Sequence, residues 1–329
     1  MLARRLGLKL DGMEVGTTPM LIPSVSSRVN IDLGRIAQII DGFFSGPFLI
    51  SSYDVFYSNN FPEITFPDLV FLDSGGYECY KDCEISDIGL YKPNPYVWNK
   101  STHRKAIEKW LNRGATNIKT TLISYDHPTE RMSVAQQINQ SIELFRDYDN
   151  VLREILVKSE SQGKNLEITS VIENIEKLGA FDIIGFTEKE LGVSVFERMI
   201  NVAQIRLEME RKGNGIPIHV FGSLDTITTP LYYFSGADIF DGLSWLRFIF
   251  HEGKTLYVDS YAPTQYGLKE EVDNSWIRSI FNNHKYLLQL KRDLGAFSST
   301  HTFQGVLKPN SEFFKNSYDK LNEELGGVL

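Results

Sequence analysis

The chain has 329 residues, 42% of them apolar and 23% charged, and its 34 basic against 42 acidic side chains leave a formal net charge of −8. That composition excludes a disordered chain, because enough apolar surface is present to offset the entropy of ordering; the length suits one large α/β domain or two ordinary ones. The acidic balance excludes a protein coated in basic charge, so a polyanion partner needs a local basic patch working against the global field.

Short β-rich runs alternate with longer amphipathic stretches along the chain. Residues 19–25 (PMLIPSV), 47–53 (PFLISSY), 69–76 (LVFLDSGG) and 118–126 (IKTTLISYD) read as four strands, with helical patterns at 33–43 and 105–114 between them. Arg113 followed by Gly114 supplies a basic residue and a glycine to close the second of these helices. A longer helical pattern covers 133–158, on the spacing of Ile138, Ile142, Phe145, Leu152 and Ile155. Residues 166–173 (LEITSVIE), 182–188 (DIIGFTE), 216–223 (IPIHVFGS) and 237–243 (ADIFDGL) read as four more strands, separated by helical stretches at 173–178, 194–212 and 226–235. Most runs are continuously apolar rather than alternating, which is how strands covered on both faces read, and parallel strands need helical crossovers of this length. With no repeat or flexible linker, the expected architecture is a (β/α)8 TIM barrel over residues 1–255 and a C-terminal helical extension over 256–329, clearest at 276–294. No stretch approaches the roughly 20 apolar residues of a membrane span, and residues 1–11 lack a signal peptide's apolar core, so no membrane partner and a cytoplasmic location are expected.

In such barrels the chemistry sits at the C-terminal ends of the strands. Five of the eight expected strands finish there in a carboxylate: Asp73, Asp126, Glu173, Glu188 and Asp241. An aspartate after a strand also caps the following helix, but five together point to an acidic site. Asp73-Ser74-Gly75-Gly76-Tyr77 adds two glycines that allow a sharp turn with exposed amides, although a plain tight turn fits the same residues. Cys79 and Cys83, the only two cysteines, have no third thiol to complete a zinc cluster, so two reduced thiols beside a loop and no metal are expected.

Asp73-Ser74-Gly75-Gly76-Tyr77 also resembles the D-S-G-G-[FY]-Q signature of the tRNA-guanine transglycosylase family, the queuine and archaeosine tRNA-ribosyltransferases. Thr18-Pro19-Met20-Leu21-Ile22-Pro23 is similar to that family's first strand, T-P-x-F-x-P; Gly236-Ala237-Asp238-Ile239-Phe240-Asp241 is similar to its G-x-D-x-F-D segment; Asn283-His284 resembles the helix carrying its zinc-ligand histidine. The resemblance implies a base exchange without a cofactor. Asp241 would attack C1′ of a guanosine nucleotide and form a glycosyl-enzyme ester, Asp73 would serve as general acid/base, and a 7-deazaguanine such as preQ0 would replace guanine. It further implies base contacts from Ser74, Gly75, Gly76, stacking Tyr77, Asp126 facing two N–H donors, and the backbone at Gly185 and Phe186. Glu173 stands where the family's guanine-binding turn is replaced by Val171-Ile172-Glu173-Asn174.

The stretch 257–284 holds none of the family's zinc cysteines, which leaves His284 alone and resembles the branch that inserts 7-deazaguanines into DNA. DNA is therefore the favoured partner and tRNA the alternative. Basic residues at His103, Arg104, Lys105, Lys109 and Arg113, or at Lys285, Lys291 and Arg292, would track phosphates or form solvated helix faces, and Trp245 and Tyr261 would stack bases or fill the barrel mouth. The acidic balance points to help from a partner protein or a second copy. Two rivals stand beside this reading: a barrel hydrolase using Asp73 and Asp241 as acid and nucleophile, and an inactive transglycosylase-like subunit that binds a nucleotide or a partner.

Overall fold

Eight short buried strands run parallel and close on themselves in chain order: Met20–Val25, Phe48–Ser51, Leu69–Asp73, Lys119–Ile123, Leu152–Val157, Ile183–Thr187, Ile218–Phe221 and Ile239–Gly242. The eighth pairs back onto the first, Ile239 opposite Met20 and Asp241 opposite Ile22. This computed structural model describes residues 2–29, 32–58, 61–79, 97–113, 117–126 and 130–329, so Gly114 and Cys83 lie outside the described residues. The protein is an α/β (β/α)8 barrel with a C-terminal helical region.

Side chains of successive strand residues point to opposite faces, and the two hydrophobic clusters separate on that period. Met20, Ile22, Leu69, Phe71, Leu152, Leu156, Ile183, Phe221 and Ile239 fill the barrel, together with Leu8 and Leu10. Those last two belong to a hairpin, Gly7–Leu10 with Met13–Thr17, whose apolar residues pack with the strand starts and close the N-terminal end. Leu21, Val70, Leu72, Ile155, Ile184, Phe186, Val220 and Phe240 face outward onto the helices.

Helices found near their expected places include Leu33–Asp41, Lys100–Leu111, Val195–Arg211 and Thr228–Phe234. Their starts are set by local chemistry: Asp32 and Ser194 accept amide hydrogens of Arg35 and Glu197, and Asn99 forms a capping box with Thr102. Asp238 ties the start of the eighth strand to helix Val195–Arg211 through a fully buried ion pair with Arg206, and accepts Ile218 N–H at 2.9 Å. Removing one member of such a pair strands a charge in the core, so Asp238 is a structural residue.

The fifth strand corrects the sequence reading. Residues 166–173 are not a strand: Ile168–Glu173 is helical, and the buried Val171, Ile175 and Leu178 recur at helical spacing into Ile175–Leu178. The strand is Leu152–Val157, inside the expected long helix. That helix stops after Val134–Phe145, and a turn through Asn150, at φ 56°, reverses the chain.

Beyond the eighth strand a second hairpin, Phe248–His251 with Lys254–Tyr257, leads to Val258–Tyr266, the long helix Val272–Thr300 and Ser311–Glu324. Asn283 fastens the long helix, donating to the Trp245 and Phe248 carbonyls at 2.7 Å each and accepting Phe250 N–H at 2.6 Å. Ile280, Leu287, Leu294 and Phe297 share the outer core with Phe234 of the barrel layer. Among the described residues no helix is long and apolar enough to cross a membrane.

Candidate active site

The period that builds the barrel also aims five polar residues inward near the C-terminal strand ends: Ser24, Asp73, Glu154, His219 and Asp241, all buried. Asp241 is the best-held carboxylate among them. Its Oδ2 accepts the Ser24 hydroxyl at 2.8 Å, and its Oδ1 accepts Gly222 N–H at 3.0 Å. His219 Nε2 stands 3.3 Å from Oδ1, off the line of a hydrogen bond, while His219 Nδ1 lies 2.7 Å from Glu154 Oε1. The imidazole is clamped between rings, stacked on Phe221 at 3.9 Å and edge-on to Phe71 at 5.8 Å. Burial would lower its pKa, but the Glu154 carboxylate and the contact with Asp241 outweigh burial and raise it to about 9. Gly185 makes this row possible, because a Cβ there would lie 2.4 Å from the Phe221 ring and 2.8 Å from Glu154 Oε1.

Asp73 ends the third strand, and the turn after it is built from glycine for steric reasons. Gly75 has φ +80°, and a Cβ there would sit 2.7 Å from the Trp98 ring and 2.9 Å from Tyr53 Cβ. Trp98 Nε1 donates to the Ser74 carbonyl at 3.0 Å, and Ser74 Oγ accepts Gly76 N–H at 3.3 Å. Gly76 leaves space for Asp126, whose Oδ2 would be 2.7 Å from a Cβ at that position. Asp73, Ser74, Gly75, Gly76 and Asp126 are thus brought together, and Tyr77 follows with Arg28 4.2 Å over its ring. That cation covers one face of the ring expected to stack on a base.

Below the turn lies an acid cluster that the sequence reading missed. Glu78 is buried and accepts Ser26 and Ser51 hydroxyls at 2.5 and 2.6 Å, and Asp54 accepts Ser27 N–H at 2.8 Å. Burial first, then the charges of Glu78 and Asp241, push the Asp73 carboxyl well above the usual carboxylate range. Burial and Glu78 likewise raise Asp54 from 3.8 to about 7. The native state therefore holds a proton on Asp54 that the unfolded chain releases near pH 4, so the contribution of Asp54 to stability falls as pH rises from about 4 to about 7 and is level above. Asp54→Asn keeps an acceptor for Ser27 and removes the buried charge. Thermal melts are expected to match wild type near pH 4 and to show a stabilisation on the order of 2 kcal/mol at about pH 8; a variant less stable than wild type at the higher pH contradicts this.

Other expected site residues lie elsewhere. Glu173 ends an outer helix and is exposed, away from the strand ends, because its segment is not the fifth strand. The expected contribution of Phe186 is its backbone, which does lie on the sixth strand beside Gly185, while its side chain packs in the outer core. Glu188 follows that strand but is taken by Arg198 at 3.0 Å and the Tyr232 hydroxyl at 2.7 Å. The true fifth strand instead delivers Lys158, whose Nζ is 2.8 Å from Glu190, 2.8 Å from Thr187 Oγ1 and 3.8 Å from Asp126. Arg131 also approaches Asp126, at 4.0 Å. Beside this group a cavity of about 210 Å³ is lined by Tyr125, Asp126, Arg131, Gln137, Leu156 and Lys158, among others.

The basic residues expected either to track phosphates or to form a solvated face on Lys100–Leu111 do not make one continuous cationic face. His103 is fully buried and lowered by burial to about 3, Arg104 pairs with Asp147 at 2.5 Å, and Arg113 lies against Trp110. Trp245 fills rather than stacks: it is buried and donates to the Ser24 carbonyl at 2.8 Å. His284 packs against Phe43 and Phe44. Cys79 is a free thiol in contact with the Gly75 carbonyl at 3.1 Å, and among the described residues no group of three or more His, Cys, Asp or Glu is arranged to hold a metal ion. No protein-family model matches the chain, and no curated protein matches it significantly.

Proposed function

We propose that the protein exchanges a base on a nucleic acid, replacing guanine by a 7-deazaguanine through an aspartyl glycosyl-enzyme ester, with DNA preferred over tRNA. The observation that carries this reading is the pair Asp73 and Asp241, two buried carboxyls inside one barrel mouth, near enough to act on each other yet differently surrounded. Carboxyls whose environments are pushed apart divide into an acid and a nucleophile. Asp73, held protonated by burial and its acidic neighbours, gives its proton to the departing purine. Asp241, with donors on both oxygens, is arranged as the acceptor-only carboxylate that bonds to C1′. When the 7-deazaguanine enters, its ring N–H proton goes to Asp73 and the electron pair of the ester bond returns to Asp241, so the acid is regenerated. Asp126 above Gly76 offers two acceptor oxygens to the base edge. The target nucleotide must leave any helical stack for C1′ to reach this depth.

The test is a parallel incubation of the protein and a 7-deazaguanine with duplex DNA, single-stranded DNA and tRNA, followed by nucleoside mass spectrometry. The expected result is a 7-deazaguanine deoxynucleoside. Release of free guanine without exchange would favour the hydrolase reading, modified tRNA alone would reverse the preference, and no product on any substrate would overturn the proposal.

A further inference from the structure

Base exchange through Asp73 and Asp241 leaves Glu154 and His219 without a part. Both are completely buried, on the fifth and seventh strands, where desolvation opposes two charged groups unless they pair. His219 lies between two acids: Glu154 at 2.7 Å on Nδ1 and Asp241 at 3.3 Å on Nε2. Stacking on Phe221 and the absence of a side chain at Gly185 fix the ring plane in that row. The Ser24 hydroxyl is on the other Asp241 oxygen, so Oδ2 is the oxygen free of His219 and the one to bond with C1′.

We propose that His219, oriented by Glu154, is a positioning residue for Asp241: an imidazolium that serves as fixed counter-charge to the carboxylate before attack and again when the glycosyl ester breaks. The proposal rests on the base-exchange reading for its kinetic consequence but not for its electrostatics. In the first half-reaction the C1′–Oδ2 bond forms, the bond from C1′ to the purine breaks, and Asp241 gives up its negative charge to the ester. In the second half the C1′–Oδ2 bond breaks and the electron pair returns to Asp241. A cation beside Oδ1 favours the second half, because the departing group is an anion there. The titratable groups that bear on His219 are Glu154 and Asp241, with Asp73 acting on Asp241 from the third strand.

Two measurements decide the matter. In the wild-type protein without substrate, 15N chemical shifts of the histidine ring should show His219 protonated on both nitrogens at neutral pH. Its titration midpoint should fall by a unit or more in Glu154→Gln and also in Asp241→Asn. A neutral His219 at pH 7, or no change in Asp241→Asn, overturns the counter-charge. In the exchange assay Glu154→Gln should slow turnover roughly 10- to 100-fold and raise the trapped covalent fraction, because ester breakdown is slowed more than formation. Equal slowing of both halves overturns the kinetic role. Because His219→Gln alone strands Glu154, the double variant His219→Gln/Glu154→Gln removes both charges together and should show the same excess of adduct. If no nucleic acid is exchanged at all, the base-exchange reading fails, and the ring titrations still decide whether His219 is the partner of Asp241.

Discussion

Asp241→Ala is expected to lower incorporation of a labelled 7-deazaguanine by about 10⁴-fold or more and to abolish the covalent adduct that wild type leaves on a denaturing gel. No neighbour can replace the lost nucleophile. Glu154 is engaged with His219, and Asp73 is held in its acid form by burial and the charges around it. The substitution also removes the acceptor of the Ser24 hydroxyl and the Gly222 amide, which weakens the fold as well as the chemistry. Asp241→Asn separates the two effects: its amide oxygen keeps one acceptor and its shape, yet it forms no ester. Both variants should lack adduct, and the asparagine variant should melt closer to wild type. Normal incorporation by either one removes Asp241 from the chemistry.

Much of the barrel was legible because strands covered on both faces leave unbroken apolar runs, and seven of the eight such runs became barrel strands within a few residues. The fifth failed for a physical reason. Leu152–Val157 carries Arg153 and Glu154, so its run is interrupted by charge, and it follows an amphipathic helix whose apolar spacing happens to continue into it. Glu154 is inward-facing and paired with His219 over Gly185 of the intervening strand, a contact 65 residues away in sequence that no local pattern reports. Misplacing that strand is what put Glu173 into the expected site and kept Lys158 out of it.

The residues at the ends of the strands were legible where a turn gave them away. Asp73 is followed by two glycines, and each answers a separate steric need, Gly75 against Trp98 and Gly76 beneath Asp126. His219 gave a weaker signal. A histidine inside an apolar run, IPIHVFGS, reads as a core residue, and its strand face is known only once the barrel closes. The strand period also divides Gly185 from Phe186: Gly185 is the inward position, and Phe186, expected to contribute through its backbone, turns its side chain outward. On the basic helix the sequence left phosphate tracking and a solvated face both open, because burial of His103 and the Arg104–Asp147 pair depend on neighbours far along the chain.

Asp73→Asn is expected to slow the exchange about 10²- to 10⁴-fold and to change the shape of its pH dependence. The amide fills the same space and still accepts Gly75 N–H, which Asp73 Oδ2 meets at 3.4 Å, but it has no proton to transfer to a departing purine. Because burial, Glu78 and Asp241 hold the Asp73 carboxyl far above its ordinary range, the acid form persists to higher pH than a surface aspartate would allow. Adduct formation by wild type should therefore fall as pH rises through that raised value, whereas the residual rate of Asp73→Asn should lack this limb. Glu78→Gln gives the companion test. It removes the first charge acting on Asp73 while keeping an oxygen for Ser26 or Ser51, so the limb should move to lower pH with the limiting rate at low pH little altered. Single-turnover adduct formation measured from about pH 5 to about pH 9 reads all three profiles. A wild-type limb that survives unchanged in Asp73→Asn would assign the proton to another group and take Asp73 out of the reaction.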